Sequence, residues 1–502
     1  MSATAADTAG TAPREESTPR LMERLGDRLN PLVVKEVRQG LRSRVFWVSF
    51  GLMLLACFII SLVAYVSALD DGLSTLGRGV FFSFFFCLGL VHFFIIPYGA
   101  YRSLARERED ETWVLLVLTG LGPRRILRGK VASYLVQAAL YASAVGPFLL
   151  FSYYLNGIDL PTILLILALG GSWLVFLTVV AVCAATLAEG RLGRAFLHFL
   201  LLGVLLMALA YGLTSAFVLG EQGYRFLIRE KDLLSFAGFF LWAMLTYGWL
   251  LFETAAARLS LPTENYSRGP RLAFTLQMLL SGLLLVVLWM AKDPRTSLAS
   301  VASILGSFNL AVVGIFVATD MDGQARALRE GTRPWSFLRP GALRGFRLVV
   351  LLLLFWTALC TGLFLLSEPM FGNMTDSYFL QVLAAPAYAL LFLSLPLLVG
   401  RLPRSDRLAS PAVVRVLFFS MAGLAGSVPP LLSVLLDRHV DDPLLNLLNP
   451  FVGLANFGDY DYSLNEPTMN VGLLACVWLV AALCAFATDR ALVERERRAH
   501  AS

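Results

Sequence analysis

Phe46–Leu69 reads FWVSFGLMLLACFIISLVAYVSAL, twenty-four residues without a charge. A bilayer core of ~30 Å takes roughly 20 apolar residues of α-helix, so this stretch is long enough to cross one. Eleven further runs of that kind follow, approximately Gly79–Tyr101, Val131–Leu155, Thr162–Leu187, Ala195–Phe217, Ser235–Ala257, Leu272–Ala291, Leu298–Thr319, Leu348–Leu366, Ser377–Gly400, Pro411–Leu436 and Asn470–Thr488. The reading is an all-α polytopic membrane protein of about twelve transmembrane helices. Composition agrees: 57% of residues are hydrophobic and 15% charged, with mean hydropathy +0.71. A soluble chain carries nearer ~25% charged residues, so a soluble enzyme is excluded.

Twelve crossings put both termini on one side, and that side collects 34 of the 41 Lys and Arg residues. The acidic residues divide far less unevenly, 20 against 15. Orientation follows Lys and Arg rather than net charge, so the termini are expected in the cytoplasm. The basic pI of about 9.0 is then a product of topology and calls for no nucleic-acid partner. The six cysteines all fall inside apolar runs, with no CxxC pattern, and no cofactor or metal motif is read. Thirty-seven arginines against four lysines suit a GC-rich bacterial genome, hence an inner-membrane location.

The organisation expected is a tail over 1–29, an amphipathic helix over 30–45, a six-span half over 46–257, a central linker over 258–271, a second six-span half over 272–488 and a tail over 489–502. The first tail is polar and no apolar run precedes Phe46, so it is expected to be disordered and to hold no cleavable signal. The longest cytoplasmic loop of each half follows its second span, at Arg102–Lys130 and Asp320–Arg347. Leu121, Pro123, Arg128 and Gly129 align with Leu338, Pro340, Arg344 and Gly345 across a one-residue gap, which points to duplication. Outside, Asp437–Met469 holds an apolar stretch expected to pack as a short helix, as a cap on the bundle or as a gate or docking site.

Two cytoplasmic segments carry the functional reading. In Asn30–Phe46, NPLVVKEVRQGLRSRVF, Asn30 can cap a helix with Pro31 in its first turn. Val33, Val34, Val37, Leu41 and Val45 recur at spacings of three and four, while Lys35, Glu36, Arg38, Gln39 and Arg42 cover the other face. Such a helix lies in the interface plane, cations among lipid phosphates. In Tyr101–Lys130, YRSLAREREDETWVLLVLTGLGPRRILRGK, Thr112 can cap a short helix over Val114–Leu118. Thr119, Gly120, Leu121 and Gly122 break it, and Pro123 restarts the helix that becomes the third span. This two-turn helix is too short to cross, so either the lipid boundary or a groove on another protein must cover it.

The runs N-P-x-x-x-K-E-x-R-x-x-x-R-S-R and E-R-x-x-x-T-x-x-L-L-x-x-T-x-L-x-P-x-x-I-x-x-G-K resemble permease subunits of ATP-binding-cassette transporters, in the type-2 exporter class of drug, polysaccharide and gliding-motility permeases. They comprise Asn30, Pro31, Lys35, Glu36, Arg38, Arg42, Ser43 and Arg44, then Glu107, Arg108, Thr112, Leu115, Leu116, Thr119, Leu121, Pro123, Ile126, Gly129 and Lys130. The resemblance covers roughly the first half. It implies that Asn30–Arg44 is the elbow helix and that Thr112–Thr119 is a coupling helix seated in a cleft of a separate cytoplasmic ATPase subunit. It also implies export, with a second copy or another permease completing the bundle. Typical members have six spans, and the loop Asp320–Arg347 lacks the E-R, T and L-L elements. There Trp335, Phe337 and Leu338 are the apolar candidates for an ATPase contact.

No GxxxxGK[ST] occurs, so ATP hydrolysis is expected in the partner and not in this chain. No span carries a charge near its middle, whereas an ion-driven carrier keeps one there despite its cost. The apolar spans favour a lipid-linked or amphipathic cargo. Ala188–Ala195, AEGRLGRA, echoes a signature of the major facilitator superfamily, the alternative reading, although it follows the fourth span rather than the second. A membrane-embedded enzyme would have only Asp320 and Asp322 as an acidic pair. His92 and His198 read as neutral side chains bonded to backbone carbonyls. Gln137, Tyr141, Ser307, Asn309 and Gln381 read equally as a polar path or as interhelical glue.

Overall fold

The computed structural model describes residues 31–71, 76–110, 122–155, 157–187, 191–223, 231–261, 264–291, 295–320, 336–367, 377–400, 410–458 and 467–501. Among them the chain is all-helical, and twelve helices are long and apolar enough to span a membrane. In order the spans are Arg44–Ser67, Gly77–Glu109, Pro123–Tyr154, Leu160–Leu187, Gly193–Gln222, Ala237–Leu259, Arg268–Ala291, Ser297–Ala318, Ala342–Ser367, Ser377–Val399, Pro411–Leu435 and Met469–Arg497. The second and third run beyond their apolar cores. At ~1.5 Å per residue each is close to 50 Å long, against ~30 Å of hydrocarbon. Their surplus turns are the charged segments Arg102–Glu109 and Pro123–Lys130, so much of the expected second loop is helix.

Packing divides the chain after the fifth span rather than at the central linker. One compact unit comprises residues 1–182 and 195–224, and the other 183–194 and 225–502. The sixth span belongs with the second unit because it pairs with the seventh and its Tyr247 hydroxyl donates to Asn309 Oδ1 of the eighth at 2.7 Å.

In the first unit the second span is the buried one, with Phe81, Phe84 and Leu88 at its centre. Its helix widens to a π-turn over Val91–Ile95. There His92 Nε2 donates to the Ala138 carbonyl at 3.0 Å, the bond its sequence context suggested. His198 instead packs between the rings of Tyr98 and Tyr101. The first span is mostly surface, and Trp47, Leu52 and Phe58 are each more than half exposed. Only hydrocarbon makes such a surface tolerable on a helix.

In the second unit the tenth span is the axis, 78% of its apolar window being buried against 11% for the eleventh. The segment after the eleventh span folds as a cap on it. Asn446 and Asn449 are fully buried: the first donates to the carbonyls of Val440 and Asp442, and the second accepts from the backbone N–H groups of Phe451 and Val452. These bonds start the short helix Val452–Gly458, and Tyr388 of the tenth span donates to the Leu447 carbonyl. Arg438 and the N–H groups of Leu445 and Leu444 hold the Asp442 carboxyl below the usual carboxylate range. That contribution is present above the ordinary carboxylate pKa and is lost as the pH falls through the lowered one.

With the six native cysteines replaced, a cysteine at Asp110 is expected to react with a membrane-impermeant maleimide only from the cytoplasm, and one at His439 only from outside. Outward labelling at Asp110 would invert the topology.

Candidate functional site

The third span starts at Pro123, where a missing N–H costs nothing, behind an extended Gly122. From there Pro123, Ile126, Leu127, Lys130, Ser133, Gln137 and Tyr141, at helical spacing, form its buried stripe. Lys130 lies on that stripe with no exposed surface. An ammonium removed from water must find counter-charges and acceptors. It finds three: Glu107 Oε1 at 2.6 Å, Glu36 Oε1 at 3.3 Å and Ser103 Oγ at 3.2 Å. Three N–H donors thus meet three acceptors, from two further helices.

Ser103 and Glu107 stand one turn apart on the extended end of the second span. Below them the Tyr134 hydroxyl donates to the Gly99 carbonyl at 2.9 Å, and His92 meets Ala138 lower still, so polar contacts stitch the second and third spans along their length. Glu36 comes from the amphipathic helix Pro31–Leu41. One turn on, Gly40 sits against the Gln137 amide so closely that a Cβ would overlap it. A larger residue there would have to displace the Gln137 amide for this helix to lie down on the third span.

This geometry corrects the helical-wheel reading. Glu36 does not face the lipid phosphates with Lys35, Arg38 and Arg42, which are exposed; it is buried and is the residue that anchors the helix to the bundle. The helix also stops at Leu41. Ser43 Oγ accepts from the Phe46 N–H at 3.1 Å and starts the first span, to which Val45 belongs. Tyr141 then bonds the Phe46 carbonyl and Ser49, holding the third span to the first.

Of the residues singled out from sequence, Glu36, Glu107, Pro123, Gly129 and Lys130 come together at one end of this unit. Arg108 stands beside Glu107 at the end of its helix. Thr112, Leu115, Leu116, Thr119 and Leu121, and Asn30, lie outside the described residues.

The second unit has a counterpart that the sequence did not mark. Arg271, four residues into the seventh span, is 1% exposed. Its guanidinium donates to Asp320 at the end of the eighth span (2.9 Å) and to the carbonyls of Phe337 (2.9 Å), Arg339 (2.5 Å) and Gly341 (2.9 Å) ahead of the ninth. Ser267 also bonds Asp320. Gly341 has φ +125°, a conformation that a side chain would strain, and this presents its carbonyl to the fork. Arg344 pairs with Glu496, and Arg347 makes a two-bond pair with Asp489, so the twelfth span is held to the same corner. Asp320 is therefore a structural counter-ion rather than half of a catalytic pair. Phe337 is partly buried against the apolar core, and Leu338 is exposed. Arg271 could have been found by its spacing from Phe274 and Met278 on the buried face.

Tyr141 and Gln381 behave as glue, the last accepting from Ser300 at 2.7 Å and donating to the Leu454 carbonyl, whereas Gln137 donates to the Ser133 carbonyl of its own helix. Asn309 bridges Tyr247 and Met278. In both units the buried ions sit at the ends of the long loop that follows the unit's buried-ion helix, residues 111–121 in the first and 321–335 in the second. In each they tie the helix before the loop and the segment leading into the next span to the helix that opens the set. No family model, curated protein or solved structure matches the chain.

Proposed function

We propose that this multi-pass membrane protein is the permease subunit of an ATP-binding-cassette transporter of the type-2 exporter class, moving a lipid-linked or amphipathic substrate with ATP hydrolysed by a separate cytoplasmic ATPase. The observation that carries the reading is the Glu36–Lys130–Glu107 cluster. The three motif fragments that resemble such permeases, K-E, E-R and G-K, meet at one buried ammonium. A force delivered to the loop 110–122 enters the bundle at Glu107 and Lys130. Because these are bonded to each other, the second and third spans receive it as one body. Through Glu36 it also reaches the amphipathic helix, which lies in the interface where lipid-linked cargo would approach.

Among the described residues no Asp, Glu, Lys or Arg occupies the middle third of any span. With His92, a mid-span histidine, held by the Ala138 carbonyl, these residues offer no chain of ionisable groups for an intramembrane ion relay, and this supports an energy source outside the bundle.

The test is association. Tagged full-length chain purified from its native host should bring down a protein with GxxxxGK[ST]. Replacing Leu115 and Leu116 together with Asp places two unpartnered charges in the docking cleft, each costing several kcal/mol (~3 or more) to desolvate. Association and transport are expected to fall at least about tenfold while membrane insertion is unchanged, since no span is altered. Unchanged association would remove this segment as the coupling element, and absence of any ATPase would overturn the reading.

A further inference from the structure

We propose that the second unit holds an intramembrane binding site for a neutral, largely hydrophobic molecule that carries a carbonyl or hydroxyl group at its leading end. A cavity of roughly 460 Å³ lies among the sixth, seventh and eighth spans, with Trp356 of the ninth at its wall. That is within the ~300–1,000 Å³ of small-molecule sites. Its wall is almost wholly apolar, with Leu288, Leu298 and Leu305 among the contributors. No ionisable carboxylate, amine or guanidinium lines it, so a charged ligand would enter unpaired.

The polar groups that do line it are concentrated at one level. Tyr247, Gln277 and Asn309 each come from the middle of their span. The Tyr247 hydroxyl faces the Gln277 amide but gives its proton to Asn309. Gln277 is 1% exposed, and neither its Nε2 nor its Oε1 has a partner in hydrogen-bonding geometry. The indole N–H of Trp242, also on the wall, is likewise buried without a partner. Buried amides and indoles in hydrocarbon are nearly always paired, and a site with two such groups on one cavity is short of a ligand's polar atoms.

The direction of the cavity decides the class. It runs from this polar floor at mid-span toward the apolar ends at Leu288 and Leu298, on either side of residues 292–294. A phospholipid with its headgroup at that surface would lay the end of an acyl chain on Gln277 and leave the amide unpaired. A molecule that leads with a ketone, quinone or hydroxyl group pairs it: the Gln277 Nε2–H or the Trp242 N–H donates to a carbonyl, and Gln277 Oε1 accepts from a hydroxyl. Where the chain is the transporter proposed above, this is a cargo site; its existence does not depend on ATP.

The experiment uses full-length protein in phospholipid nanodiscs, with benzophenone, a neutral aromatic ketone, as photoprobe and peptide mapping of the adducts. Adducts are expected to saturate and to concentrate on peptides containing residues 277–288 and 301–309. Excess decan-2-one should suppress them at least about tenfold more effectively than excess undecane. Gln277→Leu should lower the yield roughly three- to tenfold, the scale of one hydrogen bond in a dry site. Leu305→Trp, which fills the cavity from a lipid-exposed position, should abolish it and keeps the test decisive if Gln277→Leu fails to assemble. Adducts spread evenly over lipid-facing spans, or equal competition by ketone and hydrocarbon, would overturn the site. Loss in Leu305→Trp with no change in Gln277→Leu would overturn it in favour of an acyl-chain groove. An ATPase that co-purifies while these adducts are absent would refute the site alone, and the converse result would refute the transporter reading alone.

Discussion

Lys130→Met is expected to be the most damaging single substitution in the first unit. It removes the ammonium that Glu36 and Glu107 share, and their side chains are only 10% and 25% exposed. Breaking a buried pair by deleting one partner typically costs about 3–5 kcal/mol, mostly from the charge left behind. Thermal unfolding of the purified protein should show that loss. The triple variant Glu36→Gln, Lys130→Met, Glu107→Gln should recover most of it, because no uncompensated charge remains. Under the proposed function the triple variant still fails in transport while retaining the ATPase, because the docking segment is intact but its two ends are no longer joined. A Lys130→Met protein as stable as the parent would show that the cluster is not closed.

Arg271→Met should be comparably severe in the second unit, again about 3–5 kcal/mol. Its guanidinium bonds Asp320 and three carbonyls of the segment before the ninth span, so its loss removes a donor from two separate segments at once. Arg271→Lys keeps the charge but not the planar fork, and is expected to lie between the two. Pairing Arg271→Met with Asp320→Asn should restore part of the loss, the share due to the stranded carboxylate. If Arg271→Lys matched the parent, the carbonyl contacts would be worth nothing, and the ion pair alone would hold the corner.

The number and approximate bounds of the spans and their apolar surfaces were readable from the sequence, because a bilayer imposes one length and one polarity on every crossing helix. The start of the third span at Pro123 was equally local, set by proline chemistry. What tertiary structure decided is which charged residues near helix ends are solvated and which are buried. Glu36 and Arg38 sit two positions apart on one short helix, yet the first is anchored against Lys130 and the second is exposed. No pattern in Asn30–Phe46 separates them, because the distinction depends on a lysine ninety-four residues away and on a glycine one turn on that admits Gln137. The spacing of Arg271 from Phe274 and Met278 marks it as a buried-face residue, but its partners were not readable, since most of its acceptors are backbone carbonyls, which every residue supplies. The cavity beside Gln277 is a still more collective property: an apolar span with one amide looks like interhelical glue until the neighbouring helices are placed, and only then is the amide seen to have no partner.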